Sequence, residues 1–155
     1  MEYYQRIKNI REDRDIKQYK LAELINVSPK SYNLYENGHR SMPLSVLSKV
    51  LNKLNLSLDY ILELSDTTKY SNMKDMKESI LAHNLRKYRI NLKYTQKEMS
   101  SLLNCNQQTL SEYERGNLRI PIEIIKKFSE ITNISSDTLT GRCKYEINLK
   151  TPVNN

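Results

Sequence analysis

Apolar residues recur at helical spacing along nearly the whole chain, and their breaks define the elements. Tyr4, Ile7 and Ile10 predict a first helix over residues 4–14, and Leu21, Leu24 and Ile25 give a second, over 18–25, its inward face. Ser28-Pro29 opens a third: Ser accepts from the free amides of a helix start, and Pro fits the first helical position, where its missing N–H costs nothing. Gly38 closes it. Leu44, Leu47, Val50 and Leu51 carry a fourth helix over 43–54, and Ser57 caps a short fifth with Leu58, Ile61 and Leu62 on its apolar side. Residues 65–77 lose the periodicity and read as a polar linker, with Met73 and Met76 as candidates for the start of the next helix.

The plan then starts again, with helices expected over 80–90, 96–103, 106–115, 121–132 and 136–140. In the first of the second copy's middle helices Met99, Leu102 and Leu103 form the inner stripe; Leu110 and Tyr113 form that of the next. The offset is 78 residues without a gap: Arg11 matches Arg89, Gln18 matches Gln96, Asn26 matches Asn104 and Tyr35 matches Tyr113. It holds through Glu36 and Glu114, Gly38 and Gly116, Pro43 and Pro121, Asn55 and Asn133, and Asp59 and Asp137. Caps, turns and core positions coincide, so the chain is two copies of one unit. The fold class expected is all-α, with domains at 1–64 and 78–142, a linker at 65–77 and a tail at 143–155. In the tail Tyr145, Ile147 and Leu149 alternate with polar residues, as in a short strand or packing arm; a frayed terminus is the plainer expectation.

Composition supports this. Three glycines, one phenylalanine and no tryptophan in 155 residues argue against a large β-architecture. The net charge of +7 favours an acidic partner, nucleic acid being the commonest. Residues 1–70 carry 11 Lys/Arg against 9 Asp/Glu and residues 71–155 carry 14 against 9, so the second copy holds more of the positive field. Cys105 and Cys143 make neither a disulfide framework nor a zinc-type pair; Cys105 stands where the first copy has Val27, a small buried apolar position. His39 and His83 are isolated, so no metal or other cofactor is expected. The start shows no signal peptide and no apolar run is long enough to span a bilayer, which predicts a cytoplasmic protein away from membranes. Gly-rich phosphate loops, metal-ligand spacings and nucleophile–base arrangements are missing from the sequence, so no enzymatic activity is expected.

Five short helices per copy, with the motifs Tyr-Glu-Asn-Gly at 35–38 and Tyr-Glu-Arg-Gly at 113–116, resemble the lambda-repressor-like, Cro-type helix-turn-helix domain of the xenobiotic-response-element family. That family wants a small residue, a left-handed corner and two apolar residues at fixed places in its motif. This chain has Ala22, Asn26, Tyr32 and Tyr35, then Ser100, Asn104, Leu110 and Tyr113. The departures are Asn for the commoner Gly at both corners, and Ser100 for Ala.

The resemblance implies a third helix docked in the major groove and the start of the second set against a phosphate. Carried over, the base-reading positions are Ser28, Pro29, Lys30, Asn33 and Leu34, and Asn106, Gln107, Gln108, Ser111 and Glu112. Amides suit adenine, Lys suits guanine, Glu accepts from cytosine and Leu suits a thymine methyl. Phosphate positions are Gln18, Asn37 and Arg40, and Gln96, Arg115, Asn117 and Arg119. Arg11 with Glu36, and Arg89 with Glu114, are implied structural ion pairs. The expectation is a sequence-specific regulator of bacterial or phage type that binds double-stranded DNA as a repressor, its copies reading two half-sites across the linker. A homodimer or a protein partner is compatible with the same surfaces, and the rival reading is an antitoxin or anti-repressor module that keeps the fold to hold a protein.

Overall fold

The computed structural model describes residues 1–150, and among them are ten helices and one isolated β-bridge. The first copy comprises α1 (Tyr3–Asp13), α2 (Gln18–Leu24), α3 (Pro29–Glu36), α4 (Leu44–Leu54) and α5 (Leu58–Ile61). The second comprises α6 (Glu78–Asn91), α7 (Gln96–Leu102), α8 (Gln107–Arg115), α9 (Ile122–Thr132) and α10 (Ser136–Leu139). Local chemistry sets the boundaries. Ser28 Oγ accepts from Ser31 N at 3.1 Å with Pro29 at the first helical position, and Asn106 Oδ1 does the same for Thr109 N at 2.7 Å. The corners after α2 and α7 turn through Asn26 (φ 56°) and Asn104 (φ 55°), left-handed residues whose short amides tolerate that region.

Two sequence expectations fail at Leu24 and Leu102, which are 47% and 44% exposed. Leu21, Ala22 and Ile25 set the inner face of α2, and at 100° per residue Leu24 falls about 100° from its centre. Leu102 is displaced in the same way by Met99, Ser100 and Leu103. Ser100 is accommodated where the family favours Ala because its hydroxyl donates to Lys97 O at 2.9 Å. Met73 and Met76 lie before α6, not in it; Met76 is nonetheless buried, its amide donating to Ser48 Oγ at 2.9 Å.

The tail is an arm, not a frayed end, as far as residue 150. Ile134 and Asn148 form an antiparallel bridge, Ser135 N donates to Ile147 O at 2.8 Å and Leu149 N to Asn133 O at 2.9 Å. Residues 151–155 of the expected tail lie outside the described residues.

The copies are joined directly, not merely tethered. Asp137, in the first turn of α10, accepts from the amides that open α5, Leu58 N at 2.9 Å and Asp59 N at 2.8 Å. Asp59, in the first turn of α5, accepts from the amide and hydroxyl that open α10, Ser136 N at 2.7 Å and Ser136 Oγ at 2.6 Å. Each helix start is thus capped by the carboxylate of the other copy, a self-complementary contact of the kind a twofold axis generates. Around it Tyr70 Oη donates to Asp59 Oδ2 at 2.8 Å, and Arg142, fully buried, places Nε 3.3 Å from Asp137 Oδ1. The Arg142 guanidinium also donates to Asn52 Oδ1 at 2.6 Å and Leu56 O at 2.8 Å in the first copy. The linker is pinned to the same region: Ser57 N donates to Thr68 O at 2.6 Å and Lys74 N to Arg142 O at 2.7 Å.

Burial first, then the charge of Asp59, pushes the Asp137 carboxyl up to about 7, against the two amides and Arg142 that favour its ionised form. A carboxyl whose folded-state pKa stands above its ordinary 3.8 adds stability at acid pH, and that contribution is lost as pH rises through about 7. The urea midpoint should therefore fall between about pH 5 and about pH 8, and Asp59→Asn, which removes the neighbouring charge, should flatten that slope. A slope unchanged in the variant would assign it to other groups.

Candidate nucleic-acid interface

The expected reading helices, α3 and α8, are held to their copies by one repeated network. Arg11 Nε and Nη2 meet the Glu36 carboxylate at 3.0 and 2.7 Å, and Arg89 Nε and Nη2 meet Glu114 at 2.5 and 3.1 Å. Both pairs are buried, and each guanidinium also donates to a backbone carbonyl, Ile16 O or Tyr94 O. A third member completes each network at the first residue of α2 or α7: Gln18 Nε2 donates to Glu36 Oε1 at 3.2 Å, and Gln96 Nε2 to Glu114 Oε2 at 2.9 Å. The two glutamines expected at phosphate are therefore oriented by the ion pair that fixes the reading helix.

The expected base-reading residues divide by what already engages them. Ser28 and Asn106 are helix caps, their oxygens accepting from backbone amides. Asn33 Nδ2 donates to Gln18 Oε1 at 3.0 Å, tying a reading position to the helix-start glutamine. Glu112 accepts from Arg115 Nη1 at 3.3 Å and Asn117 Nδ2 at 3.0 Å, so three expected contact residues of the second copy hold one another. Pro29 and Lys30 are exposed, Leu34 is half-buried, Gln107 and Gln108 are exposed and Ser111 is half-buried. At the expected phosphate positions Arg40, Arg115, Asn117 and Arg119 are exposed, while Asn37 Nδ2 donates back to Asn33 O at 3.0 Å.

One difference between the copies escaped the sequence reading. Thr95 and Glu98 form a reciprocal capping box at the start of α7, with Glu98 N to Thr95 Oγ1 at 3.0 Å and Thr95 N to Glu98 Oε2 at 2.8 Å. The start of α2, at Lys17, has no side-chain cap. The signal was present as Thr-x-x-Glu at 95–98, a pattern for a closed helix start. A carboxylate at α7 competes with any anion there, whereas the first turn of α2 carries no acidic residue and has Lys17 beside it, Lys20 being already paired with Glu23 at 2.9 Å. Among the described residues no group of three His, Cys, Asp or Glu side chains stands together to hold a metal, and no helix is long and apolar enough to cross a membrane.

The helix-turn-helix family profile matches residues 7–61 and again 85–139, two segments in the same 78-residue register. The chain belongs to the helix-turn-helix family. The match is to the lambda-repressor-like, Cro type, present twice in tandem, which is a DNA-binding fold of transcription regulators. No curated protein and no solved structure matches the chain. In this tandem helix-turn-helix protein, Glu114→Ala would leave Arg89 buried without its partner and should cost about 3–5 kcal/mol of unfolding free energy. Gln96→Ala, which removes a peripheral donor from the same network, should cost about 1 kcal/mol. Equal losses in denaturant titrations of the two variants would contradict the ranking.

Proposed function

We propose that the protein is a repressor-like, sequence-specific regulator in which one chain does the work of a dimer, its two copies reading two non-identical half-sites of duplex DNA. The crossed capping by Asp59 and Asp137 supports this reading, because a contact in which each copy caps the other's helix start is of the kind that a twofold axis makes between the subunits of a dimer. The reading helices themselves differ: α3 presents Pro29, Lys30 and Leu34 where α8 presents Gln107, Gln108 and Glu112. The second copy, with its amides and larger positive charge, supplies more of the sequence choice. The first, with the open start of α2, supplies more of the backbone attachment.

A rigid pair and a tethered pair respond differently to operator spacing. Half-sites read by a dimer lie about 34–36 Å apart, one helical turn. Once selection from a random library has given the two half-sites, inserting about five base pairs between them should remove most of the affinity added by the second. Affinity that tolerates the insertion would mean that the copies bind independently. Within the second copy, Gln108→Ala should lower discrimination at one base pair by about 1–3 kcal/mol, while Arg119→Ala should weaken binding to all sequences alike. Binding of both variants to a randomised pool separates these effects, and uniform loss in both would contradict the assigned roles.

A further inference from the structure

The two copies treat one internal position differently. In the first, the Tyr4 ring fills the space over the turn that ends α3: a Cβ placed on Gly38 would lie 2.4 Å from Tyr4 Cζ. Tyr4 is supported there by Tyr3, whose ring stands edge-on to it at 5.4 Å. In the 78-residue register the second copy has Ala82 in place of Tyr4 and keeps the glycine as Gly116. A Cβ on Gly116 would meet nothing within 4 Å. The space that an aromatic ring occupies in one copy is open in the other, and it forms part of a cavity of about 750 Å³.

The walls say what would fill it. Leu81, Ala82 and Ile120 line the cavity together with Leu44 from the first copy, so it sits at the junction of the two. His83, Arg86 and Arg119 line it as well, and neither arginine has an ion-pair partner among the described residues. Glu114 also lines the cavity, and its buried carboxylate is already neutralised by Arg89. Glu78 adds one negative charge to the lining, which weighs against a polyphosphate and for a ligand with a single charge. Small-molecule sites combine an apolar wall for the body of the ligand with a few polar groups that orient it, and a guanidinium fits a carboxylate through two parallel hydrogen bonds.

We propose that the hollow between Ala82 and Gly116 is a binding site for a small aromatic carboxylate, its ring taking the place that Tyr4 fills in the first copy and its carboxylate meeting Arg86 and Arg119. The ligand is a separate molecule, and the site does not depend on how the protein reads DNA. If the phosphate role of Arg119 also holds, an occupant would compete with the DNA backbone for that guanidinium.

Salicylate is a suitable probe, titrated into the full chain without DNA to about 10 mM, since a ligand of about ten heavy atoms on a partly open site binds in the micromolar to millimolar range. The expected result is saturable shifts of the Ala82 methyl and Gly116 amide resonances. Benzamide, which keeps the ring without the charge, and inorganic phosphate, which keeps the charge without the ring, should each shift them at least about tenfold more weakly. Ala82→Tyr refills the hollow as Tyr4 does and should abolish the salicylate shift of the Gly116 amide. Arg86→Gln, a change on an exposed side chain that leaves the fold intact, should weaken them about tenfold even if the tyrosine variant does not fold. Absence of saturation by salicylate, phosphate acting as well as salicylate, or unchanged binding in a folded Ala82→Tyr or Arg86→Gln protein would each overturn the proposal.

Discussion

Two aspartates set across the junction are the interaction on which the rest of this molecule depends. α5 and α10 are four residues each, too short to hold together by their own hydrogen bonds, and each is opened by amides that need an acceptor. Each copy places its carboxylate on the other copy's amides, so neither terminal helix is complete alone. Taking two carboxylates out of water is costly, and the surroundings offset it: the Ser135, Ser136 and Tyr70 hydroxyls donate to Asp59, and the Arg142 guanidinium stands in an ion pair with Asp137 without donating a hydrogen bond to it. The arrangement is only approximately symmetric: Asp137 accepts two backbone amides, whereas Asp59 accepts one, with the Ser136 hydroxyl in place of the second, since Asp137 N donates to Ser135 Oγ at 3.1 Å. Ser57, the counterpart of Ser135, turns its hydroxyl to Thr67 O at 2.6 Å instead, which ties the linker into the junction.

A second repeated network works inside each copy. Arg, Glu and Gln from α1, α3 and α2 in the first copy, and from α6, α8 and α7 in the second, make one buried cluster each. That cluster places α3 or α8, the helix proposed to read DNA, relative to the helix start in front of it. The networks are conserved between copies while the surfaces they present are not. Buried charge needs all its partners and leaves little room for change, whereas an exposed side chain on α3 or α8 can be exchanged at small cost. Two copies with the same skeleton and different outward faces are the expected outcome.

Most of the fold was legible because its signals are local. The corners at Asn26 and Asn104, the cap at Ser28 and the 78-residue register follow from residues close in sequence, and the structure places them as expected; Asn106, expected to read bases, caps its helix as well. Legibility ended where the deciding partner is distant. Asp59 and Asp137 stood out only as matching positions of the repeat; that each serves the other copy's helix can be seen only once the copies are docked. Arg142, at the edge of the repeat, gave no sign of being fully buried. Leu24 and Leu102 misled because an apolar residue in a seven-residue helix has too few neighbours for its periodicity to define a face. At the interface, residue types and positions were readable, but which side chains were already engaged with one another was not: Glu112 with Arg115 and Asn117, or Asn33 with Gln18.

The crossed capping has a consequence for how the pairing behaves in solution. Subunits of an ordinary dimer separate on dilution and mix with related chains, so the amount of paired species depends on concentration. Here the contact joins residues 59 and 137 of one polypeptide, and its closure is unimolecular. Pairing does not fall away on dilution and keeps each copy matched to its own neighbour. Because the two halves are encoded separately, a substitution enters only one of them, so each side of the junction is free to change without its mirror image changing too.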